Sequence, residues 1–246
     1  MNRNFIIVGA QRSGTTYLYE LLEEHPEICM NKPVHPEPKY FLSKSLKEVS
    51  VVNYEKLFFN SCDSCNVKGE KSTSYYENED SARLISSSMP NSQVIFCLRN
   101  PAHRALSNYF FSVNSKLETR SLKEVFIDNK EAPYLKDYTV SVNPFNYLGR
   151  GEYINYIAMY MKYFPRDKIK VVILEELVGN ITYIQDVFSF LGVWTDFSPK
   201  GYRKVVNQSI KNQKPPEEIN SFLSSYYKKS IASLEDLLMR DLSIWK

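Results

Sequence analysis

The sequence predicts an α/β protein in which helices cover both faces of a central, mainly parallel sheet. Three short apolar runs, at residues 5–8, 94–98 and 169–174, contain many branched residues and do not alternate with polar ones. This pattern is typical of parallel strands that are covered on both faces. Strands that alternate with helices indicate a layered fold with a parallel sheet. The predicted helices cover residues 16–24, 81–89, 101–113, 153–163 and 182–191.

Length and composition favour one domain with a large core. The chain has 246 residues, of which 43% are apolar and 14% aromatic, so the composition of a disordered chain is excluded. No internal repeat or linker marks a boundary, and we expect a single domain over residues 1–246. Residues 118–150 are the least regular stretch and are predicted to form a lid or an insertion. The formal net charge of +3 is too small to indicate nucleic acid as the main partner, but it fits a pocket for one small polyanion.

Three observations bear on the compartment. No run of about 18 apolar residues is present, so we expect no transmembrane segment. The first apolar run ends at Gly9 and is too short for a signal peptide. Cys62 and Cys65 form a single Cys-x-x-Cys pair, which does not indicate a zinc site, and whether they form a disulfide is left open. Cys97 lies in an apolar run and is expected in the core. A reducing, cytoplasmic location is the simpler interpretation.

A glycine loop follows the first predicted strand and leads into the first helix. Gly9 and Gly14 have the spacing of a P-loop, and Thr15 and Thr16 come directly after them. Glycines let the backbone curl round a phosphate, and the helix N-terminus adds a positive dipole end. The sequence therefore predicts a phosphate site in a P-loop-type, three-layer α/β/α fold with a mainly parallel sheet. The alternative is an ordinary turn between a strand and a helix.

Two positions differ from a magnesium-dependent P-loop enzyme. Thr15 stands where such an enzyme has the Lys that holds the β- and γ-phosphates, and the basic residue of this loop is Arg12. The predicted strand at 94–98 ends in Arg99, where a magnesium-binding Asp would be expected. We predict that Arg99 binds an anion directly and that no metal takes part. A structural salt bridge of Arg99 with a neighbouring acid is the alternative.

Four segments carry recognisable motifs, at residues 9–16, 36–41, 70–75 and 99–107. Together they give the chain a resemblance to the sulfotransferases that use PAPS (3′-phosphoadenosine-5′-phosphosulfate), especially the bacterial and heparan-type carbohydrate enzymes. Residues 9–16 resemble the family's loop for the 5′-phosphosulfate, and residues 99–107 resemble its element for the 3′-phosphate. Residues 36–41 resemble a Glu-Pro element that supplies the catalytic base. Residues 70–75 resemble a Glu-Lys-Ser/Thr segment beside the transferred group. The four segments occur in the family's order, and the resemblance covers nearly the whole chain.

The resemblance implies PAPS as the sulfuryl donor and PAP as the product. It implies that Glu37 is the general base and that Arg12 and Lys71 lie beside the leaving phosphate. It also implies that residues from two of the segments bind the donor: Arg12, Ser13, Gly14, Thr15, Thr16, Arg99 and Ser107. The residues alone favour a solvated loop carboxylate for Glu37, and for Lys71 they leave a surface side chain open.

The chain departs from the family's pattern at two of these positions. Arg12 stands where the heparan-type enzymes usually carry Lys, and because Arg is a poor proton donor, an acid role is not transferred to it. Pro36 stands where many relatives have a basic residue, so acceptor contacts near it are not transferred either.

Three further basic residues are weaker candidates for contacts with the nucleotide. Arg104 lies one helical turn before Ser107 and fits either the phosphate site or a solvated helix surface. Lys211 and Lys214 lie where family members have a loop over the nucleotide.

We therefore expect an enzyme that moves a sulfuryl group from PAPS to an acceptor hydroxyl or amine, with Glu37 as the base. The likeness to carbohydrate enzymes favours a glycan or glycolipid acceptor, and a small alcohol or phenol is left open. Two other classes are the alternatives. A P-loop kinase or nucleotidase would need the missing Lys and magnesium ligand, and the remaining class is a non-catalytic nucleotide-binding protein.

Overall fold

The computed structural model describes residues 3–42, 45–60, 62, 65–134, 143–203 and 214–246. They form two compact units, which are the described parts of 1–98 with 157–206 and of 99–156 with 207–246. The single domain over residues 1–246 stays a prediction.

A five-stranded, all-parallel sheet is the framework of the first unit. Its strands are β1 (Arg3–Gly9), β2 (Ile28–Met30), β3 (Val67–Lys71), β4 (Gln93–Leu98) and β5 (Ile169–Ile173). They lie in the order β2-β3-β1-β4-β5. The central strand is therefore β1, and its carboxyl end lies at the same edge of the sheet as those of β3 and β4. In open α/β sheets this is the edge where ligands bind.

The sequence predicts three of the five strands. The runs predicted as strands are confirmed as β1, β4 and β5, with small shifts at their ends. Two strands are missing from the prediction. β2 has only three residues. β3 has the sequence Val-Lys-Gly-Glu-Lys, and all five residues are buried. Because charged side chains are rarely buried, a pattern based on hydropathy does not indicate a strand there.

Helices flank the sheet in the first unit and make up most of the second. The helices are α1 (Thr15–Glu23), α2 (Val51–Phe58), α3 (Glu79–Ser88), α4 (Pro101–Asn114), α5 (Leu122–Phe126), α6 (Tyr153–Met161), α7 (Leu174–Leu177), α8 (Ile181–Leu191) and α9 (Glu217–Leu238). Five of them, α1, α3, α4, α6 and α8, confirm the five helices that the sequence predicts. The sequence analysis did not assign the long α9, although buried residues recur in it every three or four positions.

The main core of the first unit lies between one face of the sheet and helices α1 and α8. Leu18, Leu21 and Leu22 of α1 are fully buried there, beside Val187 and Phe188 of α8. Burial of such a side chain contributes about 1.5–3 kcal/mol, so this face holds both helices on the sheet. The position of α1 in turn fixes the end of the loop that precedes it.

The predicted lid or insertion at residues 118–150 contains one short helix, α5. Glu118 is buried, and its carboxylate accepts hydrogen bonds from the Arg120 guanidinium at 2.6 and 2.9 Å and from the Tyr147 hydroxyl at 2.9 Å. The described part of this stretch is therefore anchored inside the second unit. Whether it is a lid stays a prediction.

The cysteines differ from expectation in one respect. Cys97 is a buried free thiol, as predicted, whereas Cys62 forms a disulfide with Cys29, and Cys65 is free. Disulfides are rare in reducing compartments, so this pair argues against the cytoplasmic location, which stays a prediction. Among the described residues, no helix is long and apolar enough to cross a membrane, and no cluster of three metal-binding side chains occurs.

Candidate active site

The loop between β1 and α1 has the conformation that its glycines permit. Gly14 has φ +85°, and a Cβ added there would lie 2.4 Å from Leu174 Cδ1. Gly9 has φ +152°, and a Cβ there would lie 2.7 Å from the Cβ of Tyr76. Both positions therefore exclude a side chain by conformation and by space. The strand, loop and helix confirm the local structure that the sequence predicts.

Strand β4 holds this loop from the side. The Ala10 amide donates to the Cys97 carbonyl at 2.8 Å, and the Cys97 thiol lies 2.9 Å from the Ser13 carbonyl, to which it donates. Burial raises the pKa of the Cys97 thiol, so it stays protonated and remains a donor. Sequence analysis placed Cys97 in the core and missed this contact, for which the sequence carries no local signal.

The loop carries a buried hydroxyl and leads into a helix that no side chain caps. The Ser13 hydroxyl is fully buried, and no hydrogen-bond partner for it occurs among the described residues. Helix α1 has no side-chain cap at its N-terminus, where the first N–H groups of a helix have no partner within the helix. Thr15 is buried and Thr16 is exposed at this helix end. A buried hydroxyl and an uncapped helix N-terminus together fit an anionic group.

Arg12 lies in the same loop with a half-buried side chain. It is not a glycine, yet its φ is +66°, in the left-handed region that few residues adopt. Such conformations cost about 1–3 kcal/mol and are found mainly at functional sites. The loop backbone is thus fixed around the residues that the resemblance assigns to the donor.

A second cluster lies at the end of β3. The Lys71 ammonium donates to Glu37 Oε1 at 2.7 Å, and the Thr73 amide donates to Glu37 Oε2 at 2.8 Å. The Thr73 hydroxyl lies 3.0 and 3.2 Å from the two carboxylate oxygens. Side-chain exposure is 13% for Glu37 and 2% for Lys71. Neither is the solvated surface side chain that the sequence alone left open.

Lys71 is the last residue of β3, and Thr73 is the first residue of the short 3-10 turn, Thr73–Glu77, that follows it. The Asn31 side chain, at the end of β2, accepts the Lys71 amide at 3.0 Å and fixes the end of the strand. Thr73 and Asn31 are absent from the sequence-based site. Thr73 lies in the Glu-Lys-Ser/Thr segment at residues 70–75, which was the signal for it, and Asn31 carries none.

Glu37 is carried by a segment, residues 36–42, that is docked on the chain after β3. The Lys39 amide donates to Ser72 Oγ at 2.9 Å. The Phe41 amide donates to the Tyr75 hydroxyl, and the Phe41 carbonyl accepts from Ser81 Oγ, both at 3.0 Å. Residues 36–42 form neither a helix nor a strand, and these three hydrogen bonds fix their position.

The other face of β3 carries a second carboxyl. Glu70 is fully buried, and the Tyr54 hydroxyl donates to its Oε2 at 2.7 Å. Burial raises the pKa of Glu70 to about 7, because an ionised carboxylate loses its hydration there. Glu70 and Lys71 are consecutive, so the strand directs one to the aromatic interior and the other to Glu37.

In the second unit, Arg99 and Ser107 lie at the start of α4 and within it. Asn100 caps this helix, since its Oδ1 accepts the amides of Ala102 at 3.0 Å and His103 at 3.2 Å. The Arg99 carbonyl accepts the Tyr153 hydroxyl at 2.7 Å. Ser107 is buried in the helix. The main chain around Arg99 is thus held firmly, while the role predicted for its guanidinium stays a prediction.

Arg104 is not a solvated helix residue. It is fully buried, and its guanidinium donates to Asn108 Oδ1 at 3.2 Å and to the Tyr147 carbonyl. A buried cation with neutral partners is expensive, and here it ties α4 to the chain before α6. Lys214 is exposed, and Lys211 lies outside the described residues.

Comparison with known proteins gives a consistent result. A family model described as the sulfotransferase domain matches residues 2–233. The bifunctional heparan sulfate N-deacetylase/N-sulfotransferase 3 of Mus musculus is 27% identical over 260 residues, which cover 96% of this chain and 30% of that protein. The heparan sulfate glucosamine 3-O-sulfotransferase 6 of Homo sapiens is 25% identical over 195 residues, which cover 78% of this chain and 53% of that protein. The chain thus spans only part of the length of these relatives.

Solved structures share the fold. A sulfotransferase from Alicyclobacillus acidocaldarius matches with a TM-score of 0.77 and 26% identity, covering 100% of this chain and 99% of that chain. The mouse sulfotransferase SULT7A1, which is complexed with PAP, matches with a TM-score of 0.52 and 13% identity, covering 94% of this chain and 84% of that chain. At this identity the second match concerns the fold alone.

Proposed function

Because the chain belongs to the sulfotransferase domain family, we propose that it transfers a sulfuryl group from PAPS to an acceptor hydroxyl or amine. The observation that carries the proposal is the cluster in which the Glu37 carboxylate meets Lys71 and Thr73 beside a loop suited to anions. PAPS supplies the sulfuryl group and, in PAP, a good leaving group. The protein has to bind it, align the acceptor, and move one proton.

The loop after β1 is the proposed site for the 5′-phosphosulfate. The Ser13 hydroxyl fits this group because it is buried without a hydrogen-bond partner among the described residues, and the N-terminus of α1 fits it because no side chain caps it. Gly14 lets the main chain approach the ligand, and Thr15 and Thr16 add hydroxyls at the helix start. Arg12 would neutralise charge on the leaving phosphate, as an electrostatic catalyst rather than as an acid.

Glu37 is the proposed general base. A carboxylate has about four lone-pair sites, and three donors from Lys71 and Thr73 occupy Glu37, so room remains for one further donor. An acceptor hydroxyl or amine could take that place and lose its proton to Glu37. The Lys71 ammonium has three N–H donors. One of them donates a hydrogen bond to Glu37, which leaves two that can donate to the sulfonate or to the leaving oxygen. Lys71 would then link the base to the transferred group.

Arg99 and Ser107 of the second unit are the proposed site for the 3′-phosphate. A guanidinium and a buried hydroxyl form strong, charge-assisted bonds with a phosphate. Arg99 also stands where a magnesium-dependent enzyme would have a carboxylate, so we propose transfer without a metal.

Arg99→Ala should weaken PAP binding by about 1.5–3 kcal/mol, roughly 10- to 150-fold, because one charge-assisted partner is lost. Isothermal titration calorimetry measures this, and the melting temperature without PAP should stay unchanged. Arg166→Ala, which removes an exposed Arg of the first unit, is the control. Equal PAP affinity in both variants would contradict the assignment.

The proposed acceptor is a glycan or glycolipid. This proposal is supported by relatives whose names refer to heparan sulfate, and these include both an N- and a 3-O-sulfotransferase. Both acceptor groups, the amine and the hydroxyl, therefore belong in the test.

The experiment follows labelled sulfate from PAPS into glycans with and without free glucosamine amines, a glycolipid, a simple alcohol and a phenol. We expect transfer to a glycan or glycolipid, and we expect it to persist in EDTA. Transfer to the phenol alone would overturn the acceptor class. Phosphate transfer from ATP that requires magnesium would instead favour the kinase alternative.

A further inference from the structure

A carboxyl group that the proposed reaction does not use is buried under residues 36–42, here called the base segment because it carries Glu37. Glu70 is fully buried, and no lysine or arginine forms an ion pair with it among the described residues. The Tyr54 hydroxyl donates to its Oε2 at 2.7 Å, whereas its Oε1 is buried with no hydrogen-bond partner among the described residues. A buried carboxyl without a cation destabilises a protein unless it is well hydrogen-bonded. The burial of Glu70 is therefore not explained by stability, and a contribution to the candidate site would account for it.

The groups around Glu70 are those on which the base segment is docked. The Tyr54 ring packs against Tyr40 and Phe41, with centroids 5.3 and 5.2 Å apart. The Tyr75 hydroxyl accepts the Phe41 amide at 3.0 Å, and the Tyr75 ring lies 6.1 Å from that of Phe41. Tyr40 and Phe41 follow Glu37 by three and four residues, so their position limits where Glu37 can lie.

We propose that Glu70 is a positioning residue, which anchors Tyr54 and so holds residues 36–42 in the place where Glu37 meets Lys71 and Thr73. This inference rests on the proposed role of Glu37 as the base. Two consecutive residues of β3 then fix the segment from two sides. Lys71 binds the carboxylate of Glu37 directly, while Glu70 acts through the aromatic side chains behind it.

Ionisation of Glu70 should make kcat depend on pH, which an uncharged side chain that only packs would not do. Four hydroxyls act on this carboxyl, those of Ser72 and Tyr75 after β3, Tyr54 from α2 and Tyr160 from α6, and so does the charge of Glu37. The tyrosine pKa values are raised, so these groups stay neutral while Glu70 loses its proton near pH 7. An ionised Glu70 accepts a stronger hydrogen bond from Tyr54. We therefore expect kcat to rise as the pH increases through about 7.

Three variants separate positioning from packing. Tyr54→Phe removes the donated proton and keeps the ring. Glu70→Leu removes the acceptor, whereas Glu70→Gln keeps an acceptor for Tyr54 and removes the charge. Tyr109→Phe is the control, because its hydroxyl donates to a backbone carbonyl in the second unit. The assay measures sulfate transfer to a glucosamine-containing oligosaccharide, which offers both amines and hydroxyls, together with the dissociation constant for PAP.

We expect Tyr54→Phe and Glu70→Leu to lower kcat by about 5- to 50-fold, with PAP affinity changed less than about twofold. Glu70→Gln is neutral at every pH, so its kcat should stay at the low-pH value of the wild type without the rise near pH 7, and Tyr109→Phe should match the wild type. If Glu70→Leu does not fold, Tyr54→Phe decides alone. A normal kcat in Tyr54→Phe, or an equal loss of PAP affinity, overturns the inference.

The inference and the function on which it rests fail in different ways. A full loss of transfer in Glu37→Gln, together with normal Tyr54→Phe and Glu70→Leu enzymes, would leave the base in place and refute only the positioning role. Normal transfer by Glu37→Gln, or none by the wild-type protein, would refute the proposed function and the inference with it.

Discussion

The loop after β1 and the cluster after β3 lie at the same edge of one sheet, yet they are built differently. The loop depends on the main chain, since its glycines leave no room for a side chain and its helix end is uncapped. The cluster depends on side chains from distant segments, since Glu37 is 34 residues from Lys71. A site made from main chain is encoded locally, whereas a site made from side chains needs the fold to assemble it.

The comparison predicts that chemistry and donor binding can be separated by substitution. Glu37→Gln should reduce kcat by about 10²- to 10⁴-fold, because the amide keeps the shape of the side chain but cannot take a proton. PAP affinity should stay within about twofold of wild type, since the donor loop is intact. Initial rates of labelled sulfate transfer and calorimetry with PAP measure the two quantities.

A matched control is the glutamate that pairs with another lysine of β3. Glu55 accepts from Lys68 of β3 at 3.0 Å, in an ion pair like that of Glu37 and Lys71 but without the features of the candidate site. Glu55→Gln should therefore leave kcat near the wild-type value. Loss of both kcat and PAP affinity in Glu37→Gln would mean that Glu37 holds the segment in place, and another base would have to be sought.

The same contrast explains which parts of the molecule the sequence predicts. β1 and β4 are continuous apolar runs, and Gly9 and Gly14 mark the loop, so local pattern and structure agree there. β3 buries two lysines and a glutamate, and each of these charges depends on a partner elsewhere in the chain. No local pattern contains that information. The resemblance to a family identified Glu37 and Lys71, but their direct ion pair came only from the structure.

Asn31 and Cys97 give a second reason why the sequence does not predict the whole site. Both act on the site through the main chain of a neighbour, Asn31 by accepting the Lys71 amide and Cys97 by contacting the Ser13 carbonyl. In the sequence they are an Asn after a three-residue strand and a Cys in an apolar run. Such contacts become visible only when strand order and register are known.

The main-chain half of the site can be tested by adding one methyl group. Gly14→Ala should weaken PAP binding by at least about tenfold and destabilise the protein by about 1–3 kcal/mol, because φ is +85° and the new Cβ would lie 2.4 Å from Leu174. Calorimetry with PAP and chemical denaturation measure the two effects.

Gly179→Ala separates the effect of backbone strain from that of the steric clash with Leu174. Gly179 has φ +75°, but nothing lies within 4 Å of an added Cβ, so only conformational strain applies. We expect a loss of stability of about 1 kcal/mol and unchanged PAP affinity. Equal PAP affinity in both variants would show that the loop does not need a glycine to bind the donor.

The smallest expected effect concerns a single hydroxyl, and it has opposite signs in the free and the bound protein. Ser13 Oγ is buried and no hydrogen bond to it occurs in the described part of the chain, so its desolvation is uncompensated. Ser13→Ala should therefore leave the stability of the free protein unchanged or raise it by up to about 1 kcal/mol. In the complex the hydroxyl would bond to the phosphosulfate, so the same change should weaken PAPS binding by about 0.5–1.5 kcal/mol.

Ser92→Ala is the matched control, because Ser92 Oγ is also buried without a partner among the described residues but precedes β4, at the opposite edge of the sheet. Denaturation in the absence of ligand and PAPS titration should show both variants equal in stability, with only Ser13→Ala impaired in binding. A large loss of stability in Ser13→Ala would mean that the hydroxyl serves the fold rather than the donor.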